Sequence, residues 1–187
     1  MSAQQIPTFE EIRERFYQAD LRMEKIELMF QETNRQMKET DKKISALGSR
    51  IGDIVENMVG GNIVDKFQAF GYEITQCHRR TTFKYKNLGI SGQIDLLLEN
   101  GDIAILIEVK TTLETADVRR HMERLEKYRI CADARGDKRR FIGAVAGAVV
   151  DGEAADVAHD NGMYVIVQSG EAVEIVTPPE GFQAKKW

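Results

Sequence analysis

The stretch GQIDLLLENGDIAILIEVKTT, residues 92–112, decides the fold because two apolar runs flank an Asn-Gly pair. Asn-Gly between apolar runs is the strongest short-range signal for a β-hairpin. We therefore predict two antiparallel strands, over residues 89–99 and 102–111, joined at Asn100-Gly101. Charged side chains are rare inside buried strands. The candidate functional residues are accordingly the three charges that interrupt these runs, which are Asp95, Glu108 and Lys110.

A two-residue turn at Asn100-Gly101 predicts which residues of the two strands lie opposite one another. In that register Asp95 faces Leu106, and Gln93 faces Glu108. Directly opposed residues share a face of the sheet, and that face alternates along each strand. We therefore expect one side of the hairpin to carry Gln93, Asp95, Glu108 and Lys110.

This grouping of charges predicts a metal site. Two carboxylates held close together repel each other, and a divalent cation removes that repulsion. Carboxylate oxygens suit Mg²⁺ or Mn²⁺, so Asp95 and Glu108 are candidate ligands. A bound ion acidifies its water, and Lys110 can hold a phosphate oxygen or orient that water, which suffices for phosphodiester hydrolysis. The alternatives are a buried carboxylate–lysine ion pair, or an edge strand charged against aggregation.

The segments around the hairpin predict a mixed α/β domain over residues 51–177. We expect a helix over residues 62–70 before the hairpin, a helix over 113–135 after it, and a doubly buried strand over 139–150. The remaining predicted elements are strands at 72–80, 164–168 and 172–176 and a helix at 151–162. Residues 178–187 open with two prolines and predict a loose tail.

An apolar residue recurs at alternating steps of three and four from Phe9 to Met58. Only Thr33 and Thr40 interrupt the pattern, and a 3.5-residue period of this length is typical of a left-handed coiled coil. We therefore expect residues 1–50 to be a coiled-coil helix and the chain to form a homo-oligomer through residues 9–58. The alternative is a helix that packs along its own domain, and the pattern leaves the number of chains open.

Local signals mark both ends of this long helix. Thr8, followed three residues later by Glu11, predicts a capping box at its start. Gly60-Gly61 predicts a bend or break near its end, because glycine is a poor helix former.

The composition excludes several classes of protein. The chain has 187 residues and is 42% hydrophobic, which is enough for a real core. Its longest uncharged apolar run, residues 141–150, is half the length of a membrane-spanning helix, and residues 1–16 predict no signal peptide. The two cysteines, Cys77 and Cys131, match no metal or disulfide spacing. We therefore expect a reducing, cytoplasmic environment.

The net charge of −4 argues against a nucleic-acid partner, but the charge is uneven. Residues 71–147 carry 14 basic and 11 acidic groups, whereas residues 148–187 carry 2 basic and 7 acidic groups. The middle of the chain can therefore present a basic face. One predicted loop interleaves basic residues with Thr and aromatic residues. Such a loop suits contact with phosphates and stacking on nucleobases, although a plain solvated loop is equally expected. Its basic residues are Arg79, Arg80, Lys84 and Lys86.

Two further groups are weaker candidates for nucleic-acid contact. Thr111 follows the hairpin charges and suits either a phosphate oxygen or a strand-end cap. Arg120, Arg124 and Lys127 recur at helical spacing and could line a groove, but we interpret that helix as an ordinary solvated face.

The hairpin constellation resembles the PD-(D/E)XK nuclease superfamily, which has the restriction-endonuclease-like fold. That motif is an acid on one strand followed by E-x-K on the next, and Asp95, Glu108 and Lys110 stand in those places. One departure is Ile94, which precedes the motif acid where the motif has Pro. The whole chain looks like uncharacterised prokaryotic proteins that join an N-terminal coiled coil to such a nuclease-like domain.

The resemblance implies a metal-dependent nuclease that acts on nucleic acid, DNA more than RNA. It implies that Asp95 and Glu108 bind the metal, that the Val109 carbonyl is another ligand, and that Lys110 positions or activates water. Gln93 would contact these ligands rather than the metal, and so help to hold them in position.

The family often carries a further acid on the helix before the motif. Glu56 is the first candidate for this role and Asp65 the second. Members that have lost activity keep the fold. The alternative function is therefore a noncatalytic coiled-coil scaffold that binds nucleic acid or a protein partner.

Overall fold

A computed structural model describes residues 8–170 and 172–187, with backbone only at residues 49 and 50. The chain divides into two compact units, Met1–Gly48 and Ser49–Trp187. Residues 1–7 of the predicted coiled-coil segment lie outside the described residues. The described elements, in chain order, are α1 (Phe9–Ala69), β1 (Gln76–Tyr85), a short 3-10 helix (Lys86–Leu88), β2 (Ile90–Glu99), β3 (Ile103–Leu113), α2 (Thr115–Ala134), β4 (Arg140–Val150), α3 (Gly152–Asp160), β5 (Tyr164–Ser169) and β6 (Ala172–Ile175).

The first unit is helical throughout residues 9–48, as the heptad pattern predicts. The predicted capping box is present: the Thr8 amide donates to Glu11 Oε2 at 2.8 Å, and the Glu11 amide donates to Thr8 Oγ1 at 3.3 Å. These hydrogen bonds hold the pKa of Glu11 below its ordinary value. The heptad side chains are exposed in the single chain, for example Met23 at 70% and Phe30 at 66%. Their pairing with another chain stays a prediction.

Of the predicted bend or break at Gly60-Gly61, the break is wrong, because α1 continues through both glycines to Ala69, but the helix is bent along its length. Val59 and Ile63, which flank the pair, are buried against the sheet. This burial outweighs the low helix propensity of glycine. Gly60 also leaves room for a neighbour, since a Cβ there would lie 2.9 Å from the guanidinium of Arg79.

The second unit is an α/β domain built on one mixed six-stranded sheet, in the order β1-β2-β3-β4-β5-β6. The β3–β4 and β4–β5 pairs are parallel and the others antiparallel. The end of α1 covers one face of the sheet and buries Val55, Val59, Ile63 and Phe67 there. We call the cluster that these residues form with the sheet residues of that face the α1-side core. Helices α2 and α3 cover the other face, which we call the α2-side core. The predicted fold class, α/β with a mixed sheet and flanking helices, is confirmed.

Two sequence-based assignments differ from this fold. The first strand runs over Gln76–Tyr85 rather than 72–80, so the predicted basic loop is mostly a strand paired with β2. The predicted loose tail is ordered instead: the Trp187 amide donates to the Phe141 carbonyl at 3.0 Å, and the Phe182 ring lies 5.1 Å from that of Tyr164. The tail packs because its aromatic side chains cover the edges of both cores.

The described residues bear on two expectations from composition. Within the described part of the chain, no helix is both long and apolar enough to cross a bilayer. Cys77 is half-buried, Cys131 is buried, and both are free thiols, as expected for small core residues.

Candidate active site

The hairpin turn lies one residue later than predicted. The Asn100 amide donates to the Ile103 carbonyl at 3.0 Å, which leaves Gly101 and Asp102 as the turn residues. The Asn100 side chain fixes this turn, because its Oδ1 accepts from the amides of Asp102 and Ile103 at 2.9 and 2.8 Å. An Asn side chain commonly caps the backbone two residues on in this way. The predicted register was therefore wrong.

The observed register brings the two motif acids level with each other. The β2–β3 ladder runs from Glu99 with Ala104 to Leu96 with Ile107 and ends there. Asp95 and Glu108 are the next residue on each strand, so they stand at the point where the strands part. Both strands continue beyond this point, which forms a fork in the sheet.

The pleat is irregular at this fork, and the shared face of the four polar side chains stays a prediction. Ile94 packs in the α2-side core, yet Leu96 packs in the α1-side core, so regular alternation fails around Asp95. On the neighbouring strand, Arg80 has a φ of +51°, in the left-handed region that is uncommon for residues other than glycine. A local change of strand twist at this position explains both observations.

A cleft of about 580 Å³ opens at the fork. It lies between the end of α1 and the diverging strands, and it gathers both acidic and basic side chains. The sequence-predicted residues around it are Glu56, Arg80, Gln93, Asp95, Val109 and Lys110. Gly52 and Asp53 complete the lining. The second candidate helix acid, Asp65, is exposed and is not part of this lining.

Asp95 organises the backbone of the E-V-K segment. Its Oδ2 accepts a hydrogen bond of 2.9 Å from the amide of Val109. Val109 lies between Glu108 and Lys110 in sequence, so this bond fixes the position from which both side chains project. The Asp95 carboxylate thus replaces the ladder hydrogen bond where the strands separate.

Glu108 is the most buried charge of the site, with 3% of its surface exposed. Its Oε1 lies 2.6 Å from Lys110 Nζ, and its Oε2 accepts a hydrogen bond from the guanidinium of Arg124 on α2. Two cationic partners offset the desolvation of a buried carboxylate. Arg124 therefore points inward to the site, contrary to our interpretation of α2 as an ordinary solvated face.

Two basic residues of β1, Arg79 and Arg80, are bound by side chains of α1. Arg80 Nε and Nη2 each lie 3.0 Å from Glu56 Oε2, and Nη2 also donates to Asp53. Hydrogen bonding to Glu56, and then to Asp53, raises the pKa of Arg80 above its ordinary value. Arg79 donates to the side-chain carbonyl of Asn57. The other candidates for nucleic-acid contact, Lys84, Lys86 and Thr111, are exposed.

A buried histidine joins α2 to the strand that carries the motif. The His121 side chain is fully buried, and its Nε2 lies 3.0 Å from the Leu106 carbonyl, two residues before Glu108. We assign Nε2 as the donor, since the carbonyl can only accept. Burial lowers the pKa of His121 to about 4, which keeps the imidazole neutral. This contact holds α2, and with it Arg124, against β3.

The oxygen atoms of the site are of the kind that bind a hard divalent cation. Several of these carboxylate oxygens are, however, already paired with cationic side chains. Carboxylates and a backbone carbonyl are the ligands that Mg²⁺ and Mn²⁺ prefer. Among residues 8–170 and 172–187, however, no group of three or more His, Cys, Asp or Glu side chains is arranged to hold a metal ion. Glu108 is bound to Lys110 and Arg124, and Glu56 to Arg80. An ion would have to replace at least one of these cations.

Sequence reasoning missed Asp53 and undervalued two residues of this site. Asp53 precedes Glu56 by three residues, so helical spacing could have placed both acids on one side of α1. Helical spacing did mark Arg124 as able to line a groove, but neither its contact with Glu108 nor that of His121 with Leu106 could be predicted, because both arise only when α2 docks on the sheet.

No protein-family model, curated protein or solved structure matches this chain. The function must therefore be inferred from the residues of the cleft.

Proposed function

We propose that this protein is a metal-dependent nuclease of the PD-(D/E)XK type that hydrolyses phosphodiester bonds, with DNA preferred to RNA. The observation that carries the proposal is the cleft at the β2–β3 fork. Asp95, Lys110 and Glu56 line it, and buried Glu108 is paired with Lys110. Carboxylates and a lysine around an open cleft are suited to phosphoryl chemistry because both the attacking water and the phosphate need a charged partner.

The metal ligands would be the carboxylates of Asp95 and Glu108 and the carbonyl oxygen of Val109, with Mg²⁺ or Mn²⁺ as the ion. When bound, the ion supplies an acidified water and neutralises charge on the phosphoryl oxygens. Lys110 orients the water or holds a phosphate oxygen, since about a third of its side chain is exposed to the cleft. Gln93 supports this arrangement from the lining.

Glu108 is paired with Lys110 and Arg124. Replacing one of these partners by an ion leaves the carboxylate paired throughout, which avoids an uncompensated buried charge. Glu56 is a further acid for the site, and Arg80 pairs with it. Each acid therefore has a cation that can be exchanged for an ion or for substrate phosphate.

The nucleic acid would approach along the exposed strand edge beside the cleft. Lys84 on the edge strand β1, Lys86 just after it and Thr111 on β3 are exposed and suit phosphate contact. Arg79 and Arg80 are bound within the chain, so their use by a substrate requires exchange of Asn57 and Glu56 for phosphate.

Self-association through the heptad helix is the second part of this proposal. The exposed apolar side chains of residues 9–48 form the periodic surface that a second copy would cover. A homo-oligomer would carry more than one copy of the cleft, which would let it cut two strands or bridge two sites. Two free thiols suit a reducing cytoplasm.

A noncatalytic scaffold is the alternative, and one observation favours it. The motif carboxylate Glu108 is buried and saturated by two cations, which is also how a structural ion-pair network looks. A nuclease-like domain of this kind would bind nucleic acid or a protein without cutting.

A cleavage assay separates the two functions. Plasmid, linear duplex, branched DNA and RNA are incubated with the full chain in Mg²⁺ or Mn²⁺, beside Asp95→Asn, Glu108→Gln and Lys110→Met. Matched controls are Asp102→Asn in the turn at the other end of the hairpin and Lys138→Met. We expect the site variants to lose at least about a hundredfold in rate while the controls cut normally. Equal cutting by all variants, or none on any substrate, would remove the nuclease proposal.

A further inference from the structure

The charges beside the heptad seam differ in sign on its two sides. We write the heptad as abcdefg with Phe9 at position a, so that positions e and g flank the apolar a and d residues. The charged g residues are all basic: Arg15, Arg22 and Lys43. The charged e residues are acidic after the first heptad: Arg13 is followed by Asp20, Glu27 and Asp41.

Some charges on the outer face of this helix have partners within the chain. Arg35, at position f, lies 2.8 Å from Glu32 and 3.0 Å from Glu39, and Gln18 donates to Glu14 at 2.9 Å. Beside the seam the situation is different. Within the described part of the chain, Asp20, Arg22 and Glu27 form no ion pair with another side chain of their own chain.

A parallel, in-register pair satisfies these seam charges. In a parallel coil each g residue meets the e residue of the next heptad on the other chain. Arg15 then meets Asp20, and Arg22 meets Glu27, and the two-fold symmetry repeats both contacts. None of the five g–e contacts from residue 15 to residue 48 brings like charges together.

An antiparallel pair is less favourable, because it sets g against g and e against e. With residues 9–47 fully overlapped, Arg15 meets Lys43, and Glu27 meets its own copy. The only attraction gained is Arg13 with Asp41. Like charges at such positions oppose association by amounts similar to the gain from attractive pairs.

The two polar seam residues tolerate burial in either arrangement. Thr33 donates to the Met29 carbonyl at 2.8 Å, and Thr40 donates to the Gln36 carbonyl at 2.9 Å. Each hydroxyl is therefore already satisfied within its own helix when a partner covers it.

We infer that the partner of this helix is a second copy of the same chain, aligned parallel and in register over residues 9–48. The inference rests on the self-association proposed above and adds its direction. Parallel alignment sends both chains out of the same end of the coil.

Oxidative cross-linking of the full chain tests the alignment. The variants Ala19→Cys, Thr33→Cys and Thr40→Cys each place a thiol at a d position, and the wild type controls for Cys77 and Cys131. In the parallel coil each d residue meets its own copy, so all three variants should form a covalent dimer on oxidation. In the overlapped antiparallel coil none of these residues meets itself. Absence of cross-linking at two or more positions would overturn the parallel alignment.

Charge reversal gives a second, independent readout. Arg15→Glu with Arg22→Glu should weaken self-association, measured by analytical ultracentrifugation, by at least about tenfold. Adding Asp20→Arg and Glu27→Arg to the same chain should restore it. Lys25→Glu with Lys42→Glu, at outer positions c and f, is the matched control and should have no effect.

The outcomes distinguish this inference from the function on which it rests. Oligomers that resist charge reversal and do not cross-link overturn the parallel alignment and leave self-association standing. A wild-type monomer overturns both. The cleavage results for the Asp95 and Glu108 variants test only the nuclease proposal. They do not depend on how the two helices are aligned.

Discussion

Mild acid should lower the free energy of unfolding of the second unit, because the buried imidazole of His121 is then protonated only in the unfolded state. His121 is fully buried, and burial lowers its pKa from 6.5 to about 4. In the unfolded chain the same group titrates near 6.5. Between these two values the unfolded state binds a proton that the folded state excludes, so the free energy of unfolding falls as the pH falls. This contribution is complete above about pH 6.5 and is lost progressively down to about pH 4.

The size of the effect follows from the two pKa values. They differ by roughly 2.5, and each whole pKa unit corresponds to about 1.4 kcal/mol, which gives a loss of about 3 kcal/mol. That is a large share of the 5–15 kcal/mol typical of a domain. The charges nearest the imidazole do not change this sign, because Asp95 raises its pKa while Lys110 lowers it, and both act less than burial.

Urea unfolding at several pH values measures this dependence. Trp187 is the only tryptophan and contacts the α2-side core, so its fluorescence reports on the unit that contains His121. The wild type should lose about 3 kcal/mol between about pH 7 and pH 4, and His121→Gln should lose much less over that range. Burial also lowers the pKa of half-buried His159, so His159 contributes to the pH dependence with the same sign. The control variant His159→Asn separates that contribution from the contribution of His121. A wild-type stability that stays flat, or a His121→Gln slope as steep as the wild type, would refute the reasoning.

Three further changes test the packing of the second unit. Arg124→Met leaves buried Glu108 with one cationic partner and should lower the free energy of unfolding in urea by about 2 kcal/mol, with Arg124→Lys in between; an unchanged midpoint would contradict the ion pair. Gly92→Ala places a Cβ 2.5 Å from a buried phenyl ring and should cost about 1–3 kcal/mol, whereas Gly101→Ala meets no atom within 4 Å and should be neutral. Deleting residues 182–187 removes ring contacts to both cores and should lower the Tm by more than about 5 °C; a shift below about 1 °C would show that the tail is dispensable.

The elements of the fold could be predicted because local patterns carried them. The heptad repeat and the capping box predicted the start of α1, and the Val-rich run predicted β4. The end of α1 could not be predicted, since burial of Val59 and Ile63 on the sheet overrides two glycines. The aromatic tail was misjudged for the same reason, because its partners lie far away in sequence.

The composition of the site could be predicted more fully than its geometry. Asp95, Glu108 and Lys110 stood out as charges inside apolar runs, and Glu56 does line the cleft. The turn register depended on the Asn100 side chain, which a dipeptide signal does not specify. The shared face assumed a regular pleat, which fails next to the left-handed Arg80.

Binding of Mn²⁺ tests the central claim most directly. A crystal soaked in Mn²⁺ and measured at the manganese absorption edge would locate any ion from its anomalous signal. The nuclease account predicts a peak between the carboxylates of Asp95 and Glu108, with Arg124 or Lys110 released from Glu108, and no peak in Glu108→Gln. An empty cleft, with Glu108 still bonded to both cations at saturating Mn²⁺, would contradict the account and favour the noncatalytic scaffold.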